Sequence, residues 1–268
     1  MAVTAPVSSA VAELRRTGGV AAITLRRPPA NAFDPVLVQQ LGELVAEVAA
    51  DVDVRCVVFR GAGALFSAGA DVEALQVLAA ATAGTDAVVE HVARMQELFT
   101  AVAGLPVPTI AAIHGVAAGG GLELALACDL RIVGRRARLG LPEVGLGLVP
   151  GAGGTQRIAR QVGPGWAARL VLGGELISGT EAVRIGLAQH AVPDTDVHAA
   201  VEEVAARIAG RPRAALVAAK RCLAAAGTAP GFGIELAAVR ELIGSQETTA
   251  LLAAFTAGRS RRDRSNPE

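Results

Sequence analysis

The chain has 268 residues, of which 52% are apolar and 19% charged, so it can bury a large core and is not expected to be disordered. Its 25 basic residues balance 25 acidic ones, which argues against a protein that binds nucleic acid through bulk positive charge. Lys220 is the single lysine and follows no Gly-rich turn, which excludes a P-loop, and the three cysteines lie too far apart for a C-x-x-C metal site.

Neither a membrane helix nor a signal peptide is expected. No segment reaches the roughly 20 uninterrupted apolar residues that a membrane helix requires. The N-terminal stretch 1–16 has no basic residue before its apolar part, unlike a signal peptide. A cytoplasmic protein is therefore predicted.

Strand and helix patterns alternate through the first two thirds of the chain. Asp34 and Pro35 are typical of a helix start, and Asp71 can cap a second helix. In chain order the predicted elements are a strand at 20–25, a helix at 35–50, a strand at 55–60, helices at 72–80 and 87–103, a strand at 109–114, a helix after Gly121, a strand at 129–133 and a helix from Thr155. Such alternation, with Gly-rich turns at the strand ends, predicts an α/β core.

Strand patterns vanish beyond Pro193, and only helix patterns follow. A boundary is therefore predicted near 195–200, which divides the chain into a core of 1–197 and a helical region of 198–268. The last helix pattern is apolar on more than one face around Leu251 to Phe255. A helix of that kind usually packs against more than its own core, which predicts a subunit contact.

Two of three Gly-rich loops lie between a strand and a helix. In FSAGAD, at 66–71, small residues would let a ligand approach the backbone, although Asp71 alone is typical of an N-cap. GGGLE, at 119–123, would place free amides at a helix N-terminus, where they could hold a developing negative charge. A tight turn with Glu123 as a first-turn acid would explain the same pattern.

The third loop, 139–156, carries Glu143 among apolar residues. A poorly solvated carboxyl there should have a raised pKa, which suits proton transfer, and a salt-bridged surface glutamate is the alternative. Counted from Gly151, the sixth position is Gln156, so the loop does not match the dinucleotide-binding pattern G-x-G-x-x-G.

Taken together, FSAGAD at 66–71, IHGVAAGGGLELALACDLRI at 113–132 and LGLPEVGLGLVPGAGGTQRI at 139–158 resemble the enoyl-CoA hydratase/isomerase (crotonase) family. The resemblance runs from about Val20 to Phe255. It implies a crotonase-like spiral of β-β-α repeats with an all-helical C-terminal region that forms a homotrimer or a dimer of trimers. It also implies an acyl-CoA thioester substrate, no nucleic-acid or membrane partner, and no metal or cofactor, since coenzyme A is part of the substrate.

The resemblance further implies the residues of the site. The backbone N–H groups of Ala68 and Gly120 would form the oxyanion hole, and Glu123 and Glu143 would be catalytic. The implied substrate-binding residues are Ala68, Gly69, Ala70, Asp71, Gly120 and Gly151. Glu143 is the better acid because of its apolar neighbours, and Glu123 is expected to activate water because a helix dipole favours its charged form.

The leading hypothesis is hydration of 2-enoyl-CoA to 3-hydroxyacyl-CoA in fatty-acid or related acyl-CoA degradation. An isomerase or a 3-hydroxyacyl-CoA dehydratase of the same fold is an alternative, but isomerases usually need one carboxylate and this sequence has two. An RNA-binding or catalytically inactive relative is an alternative of another class. With no net charge, six Phe, one Trp and no Tyr, the chain is poorly suited to stack on RNA bases.

Overall fold

A computed structural model of the chain describes residues 10–82 and 84–265. Residues 1–9, which begin the stretch considered above for a signal peptide, lie outside the described residues. The strands are β1 (Ala12–Thr17), β2 (Val20–Leu25), β3 (Cys56–Gly61), β4 (Thr109–Ile113), β5 (Val116–Ala118), β6 (Leu130–Gly134), β7 (Arg138–Gly140), β8 (Ile177–Ser178) and β9 (His190–Val192). The helices are α1 (Pro35–Ala50), α2 (Val72–Ala80), α3 (Gly84–Ala103), α4 (Gly120–Ala127), α5 (Gly154–Leu172), α6 (Gly179–Arg184), α7 (Val197–Ala209), α8 (Arg213–Ala224), α9 (Gly231–Ile243) and α10 (Gln246–Ser265), with 3₁₀ helices at Glu143–Leu146 and Asp194–Asp196.

The main sheet has six strands in the order β1-β2-β3-β4-β6-β9. β1 and β2 form an antiparallel hairpin, and every other pair in this sheet is parallel. A smaller sheet joins β5, β7 and β8. The loop after β3 pairs with β5 through a parallel bridge between Ser67 and Ala117. Because β5 leads directly into the turn before α4, this pairing brings the first two Gly-rich loops together.

Helix α7 covers one face of the main sheet. Its residues Val197, Val201, Ala205 and Ala209 share a buried cluster with Cys56, Val58, Ile110, Ala112 and Ile132 of the strands. The chain accordingly divides into two compact units after Ala209, not after residue 197 as the sequence pattern predicted. The pattern did detect the switch from strands to helices, but the first helix after the switch still packs on the sheet.

The predicted α/β core followed by helices is confirmed, because the described residues after β9 contain only helices and turns. The helix starts at Asp34 and Asp71 are also confirmed, since each carboxylate caps its helix by accepting a backbone N–H, from Leu37 and Ala74 respectively. Within the described ranges, no helix has the length and apolarity required to cross a membrane.

Candidate active site

Asn31 fixes the first Gly-rich loop to the segment before α1. It is fully buried and has φ of +47°, a left-handed conformation that asparagine tolerates better than most residues. Its side-chain N–H₂ group donates to three carbonyls of the loop after β3, those of Ala62 at 2.9 Å, Leu65 at 3.0 Å and Phe66 at 3.2 Å. The Ser67 hydroxyl donates back to the Asn31 carbonyl at 2.8 Å. The loop is therefore rigidly attached before any ligand binds.

The amide of Ala68 is not available to a ligand, contrary to the expectation from sequence. It donates a 2.9 Å hydrogen bond to the carbonyl of Ala30. Two residues later, the Ala70 N–H has no acceptor among the described residues, and the same holds for the Gly120 N–H at the start of α4. Only these last two residues line the cavity described below. In the structure, the free amide beside that of Gly120 is therefore that of Ala70 and not that of Ala68.

The unpaired amides of Ala70 and Gly120 lie close together. A Cβ built on Gly120 would lie 3.5 Å from the Ala70 nitrogen, and one built on Gly69 would lie 3.2 Å from the Gly120 nitrogen. Gly69 itself has φ of +105°, which favours glycine. Two neighbouring N–H donors of this kind can stabilise one developing oxyanion.

A cavity of about 430 Å³ opens in front of these amides. Glu123 and Glu143 are the only ionisable side chains among the described residues that line it. Its walls are largely apolar and come from α2, α3 and the loop before α5, namely Val72, Leu75, Ala79, Val88, Val92, Met95, Leu146, Leu148 and Val149. The cavity thus combines a long apolar surface with a small polar centre, as ligand sites commonly do.

Glu123, on α4, is only 2% exposed, and its Oε1 accepts the N–H groups of Ala152 and Gly154, each at 2.8 Å. Its pKa is raised to about 7, first by burial and also by the charge of Glu143, while the two amides and Arg157 oppose the shift. The sequence analysis expected a helix dipole to favour the charged form of Glu123, and this expectation is wrong, because the pKa is raised and not lowered. The amides belong to the turn that leads into α5, and desolvation outweighs them.

Glu143 is the first residue of the 3₁₀ helix and approaches the Gly-rich turn from the opposite loop. A Cβ on Gly119 would lie 2.9 Å from its Oε1, so the glycine is what lets the carboxyl come so near. Its Oε2 is buried and has no hydrogen-bond partner among the described residues, and burial raises the pKa of the group, as its apolar neighbours predicted. An unpaired carboxyl oxygen in a cavity can bind water or a substrate hydrogen.

Asp71 shapes the loop and does not present its carboxyl to the cavity. It caps α2 by accepting the Ala74 N–H at 3.0 Å and forms a 2.7 Å ion pair with Arg27. The pKa of Asp71 is lowered first by the Ala74 amide and also by Arg27. Gly151, in contrast, lines the cavity beside Glu123.

Comparison with known proteins identifies the family. Residues 15–246 match the family model described as enoyl-CoA hydratase/isomerase. The chain is 39% identical to YngF of Bacillus subtilis over 241 residues, which cover 88% of this chain and 91% of that protein. It is 35% identical to the short-chain-enoyl-CoA hydratase of Clostridium acetobutylicum over 212 residues, 78% of this chain and 79% of that one. The crystal structure of an enoyl-CoA hydratase from Bacillus anthracis superposes with a TM-score of 0.87 at 33% identity and covers 93% of this chain and 97% of that one.

The chain belongs to the enoyl-CoA hydratase/isomerase family. Its fold is the crotonase fold, as the resemblance of the three loops implied. The family acts on acyl-CoA substrates.

Of the predicted site residues, five lie together in the cavity: Ala70, Gly120, Glu123, Glu143 and Gly151. Ala68, Gly69 and Asp71 shape the loop beside it without lining it. The sequence analysis missed the two amides that bind Glu123. A helix was predicted to begin at Thr155, and the unpaired N–H groups of that helix start were the available signal.

Proposed function

We propose that this member of the family hydrates 2-enoyl-CoA thioesters to 3-hydroxyacyl-CoA. The supporting observation is that two carboxyl groups and two unpaired amides line a single cavity. An isomerase needs one carboxyl group to move a proton, whereas addition of water has a hydroxyl to deliver and a proton to place. Together, Glu123 and Glu143 can activate the water that delivers the hydroxyl and place the proton.

In the proposed mechanism the thioester oxygen lies between the N–H groups of Ala70 and Gly120. Addition of water oxygen to Cβ pushes electrons through the conjugated system onto that oxygen, and the two donors stabilise the resulting enolate. One carboxyl group accepts a proton from the attacking water, and a proton returns to Cα. The reaction balances with water and the enoyl thioester alone.

The pKa values of both carboxyl groups are raised, which favours their use in proton transfer. Burial raises both pKa values, that of Glu123 to about 7, so this group is present in both protonation states at neutral pH. Because each charge disfavours the other, the pair is best described as sharing the proton transfers. The unpaired Oε2 of Glu143 is the free acceptor for water, and the apolar walls suit an acyl chain.

The test follows the absorbance of the conjugated enoyl thioester with crotonyl-CoA and with longer 2-enoyl-CoAs, with no cofactor added. The E123Q and E143Q variants keep shape but lose proton transfer, so each should slow hydration by about 10²- to 10⁴-fold. E97Q, at an exposed position of α3, is the matched control and should retain full activity.

A second assay with 3-enoyl-CoA separates the isomerase alternative. If E123Q kept its hydratase rate, or if the wild type isomerised 3-enoyl-CoA without hydrating crotonyl-CoA, the proposal would be overturned. An isomerase that uses Glu143 alone would then be the better description.

A further inference from the structure

The turn 150–154, which binds Glu123 through two amides, is itself held by side chains outside the cavity. The Gln96 side chain on α3 donates to the carbonyl of Gly151 at 2.5 Å. Arg157 on α5 donates through Nη1 to the carbonyl of Ala152 at 3.0 Å. The carbonyls of the turn are thus bound on its outer side, while the N–H groups of Ala152 and Gly154 point to Glu123.

Arg157 connects this turn to α3. Its Nη2 donates to the hydroxyl of Thr100 at 3.3 Å, four residues after Gln96 on the same helix. Gly153 has φ of +102°, and a Cβ there would collide with Nη1 of Arg157. The glycine therefore lets the guanidinium lie across the turn. Burial lowers the pKa of Arg157, but an arginine stays charged in any case.

The charges around Glu123 are few. Glu143 disfavours its carboxylate form, and Arg157 favours it. Helix α3 packs against α4 and contributes only uncharged residues to the cavity, Val88, Val92 and Met95. Its buried His91 faces the carbonyl of Phe33 instead. Arg157 is therefore the positive group that compensates this carboxyl within the described part of the chain.

We propose that Arg157 is a positioning residue for Glu123: it fixes the turn that donates two N–H groups to the carboxyl, and its charge stabilises the carboxylate form. This deepens the proposed hydratase function, on which its catalytic consequence rests. The turn holds the carboxyl in one orientation, and a displacement of about 1 Å in such a group can lower the rate about 10²-fold. On α3, Thr100 accepts a hydrogen bond from the guanidinium, and Gln96 donates directly to the turn at Gly151. We call these three side chains, Arg157, Thr100 and Gln96, the clamp.

The experiment compares R157Q and R157K with R160Q, which removes the same charge from an exposed position one turn along α5. Two quantities are measured: the titration midpoint of Glu123 by ¹³C NMR of protein labelled at glutamate carboxyls, assigned with E123Q, and kcat and KM across pH. R157Q should raise the midpoint by about 0.5 to 1 unit, since loss of a nearby opposite charge raises the pKa of a carboxyl. It should also lower kcat about tenfold with little change in KM.

R157K should keep the midpoint near that of the wild type while kcat falls, because it keeps the charge and loses the fork that joins Ala152 to Thr100. R160Q should change neither quantity. A folded R157Q protein with an unchanged midpoint and kcat would overturn the inference. If R157Q does not fold, T100V decides: reduced kcat at an unchanged midpoint supports the clamp, and unchanged kcat in both T100V and R157K contradicts it.

The NMR titration does not depend on turnover. A shifted midpoint in R157Q together with no hydration by the wild type would therefore retain the positioning role and reject the proposed function. Hydration by the wild type with no effect of R157Q would retain the proposed function and reject the positioning role.

Discussion

At the scale of single residues, the site depends on a carboxyl group that the fold destabilises. Glu123 is almost fully buried, and its pKa is raised from 4.5 to about 7. The folded state therefore binds a proton more tightly than the unfolded state does, and the stability falls as the pH rises from 4.5 through 7. Above that range the full destabilisation is present.

E123Q removes this destabilisation while its amide oxygen can still accept the two N–H groups. We expect E123Q to be more stable than the wild type by roughly 1 to 3 kcal/mol at pH 8, with the gain shrinking as the pH falls toward 4.5. Urea unfolding at several pH values measures this difference in the free energy of unfolding, and E97Q controls for loss of a surface charge. Equal stability of E123Q and the wild type at pH 8 would contradict the raised pKa.

Gly119, the residue before α4, lies directly against the carboxyl group of Glu143. It has φ of +50°, and a Cβ there would lie 2.9 Å from Oε1 of Glu143. G119A should therefore displace this carboxyl and lower kcat at least tenfold, with about 1 kcal/mol of backbone strain in addition. G145A is the matched control, because its Cβ would meet no atom within 4 Å. A G119A enzyme as active as G145A would show that Glu143 need not lie where it does.

The sequence analysis selected the two carboxyl groups that line the cavity, but it missed the hydrogen-bond partners around them. The roles of Glu123 and Glu143 came from the resemblance to the family, since the residue pattern alone left a structural alternative for each. Ala68 was likewise assigned by its position in the motif FSAGAD, which also contains Ala70. The choice between them depends on pairing with the segment around Ala30, a contact that a local pattern does not contain.

At the scale of elements, buried Arg131 of β6 donates to carbonyls at the end of α4 and after α6, and to a side chain on α5. Its Nη1 donates to the carbonyls of Ala125 at 3.1 Å and Cys128 at 2.8 Å, at the end of α4. Its Nε donates to Leu187 at 2.6 Å, and its Nη2 to the Gln161 side chain on α5 at 3.2 Å. Helices α4 and α5 and the segment at Leu187 are thus joined to β6 by one fully buried guanidinium.

R131M removes the four hydrogen bonds that this guanidinium donates in the core. A hydrogen bond to a charged group contributes about 1.5 to 3 kcal/mol, so we expect a loss of at least about 3 kcal/mol in the free energy of unfolding. Urea denaturation measures this, and R138M at an exposed position of β7 should stay within about 0.5 kcal/mol of the wild type. A small effect of R131M would mean that water reaches the carbonyls.

Element types were easier to predict than element neighbours. The helix caps at Asp34 and Asp71 are local chemistry and were read correctly. β1 was missed because its sequence AELRRT is largely charged, and it forms a strand only because it pairs with β2 at the sheet edge. The packing of α7 on the sheet is likewise a tertiary contact, which no local sequence pattern predicts.

At the scale of the whole molecule, the second unit exposes a large apolar surface. On α9 the exposed side chains of Phe232, Leu236, Val239 and Ile243 recur at helical spacing, with exposed fractions of 82%, 73%, 62% and 57%. On α10, Leu251, Leu252 and Phe255 are also at least half exposed. Contiguous apolar surfaces of this kind mark interaction sites. The predicted assembly of three or six copies would bury it.

Light scattering at micromolar concentration tests this assembly. We expect a mass of three or six times the chain mass of 27.0 kDa. The double variant L236E/V239E places two charges at the centre of the α9 surface, and like charges buried at an interface are strongly unfavourable, so it should shift the mass toward one chain. V52E, at an exposed apolar position of the first unit, adds a charge without touching α9 and should leave the mass unchanged. A monomeric wild type would reject the assembly, and an unchanged mass in L236E/V239E would assign the contact to another surface of the chain.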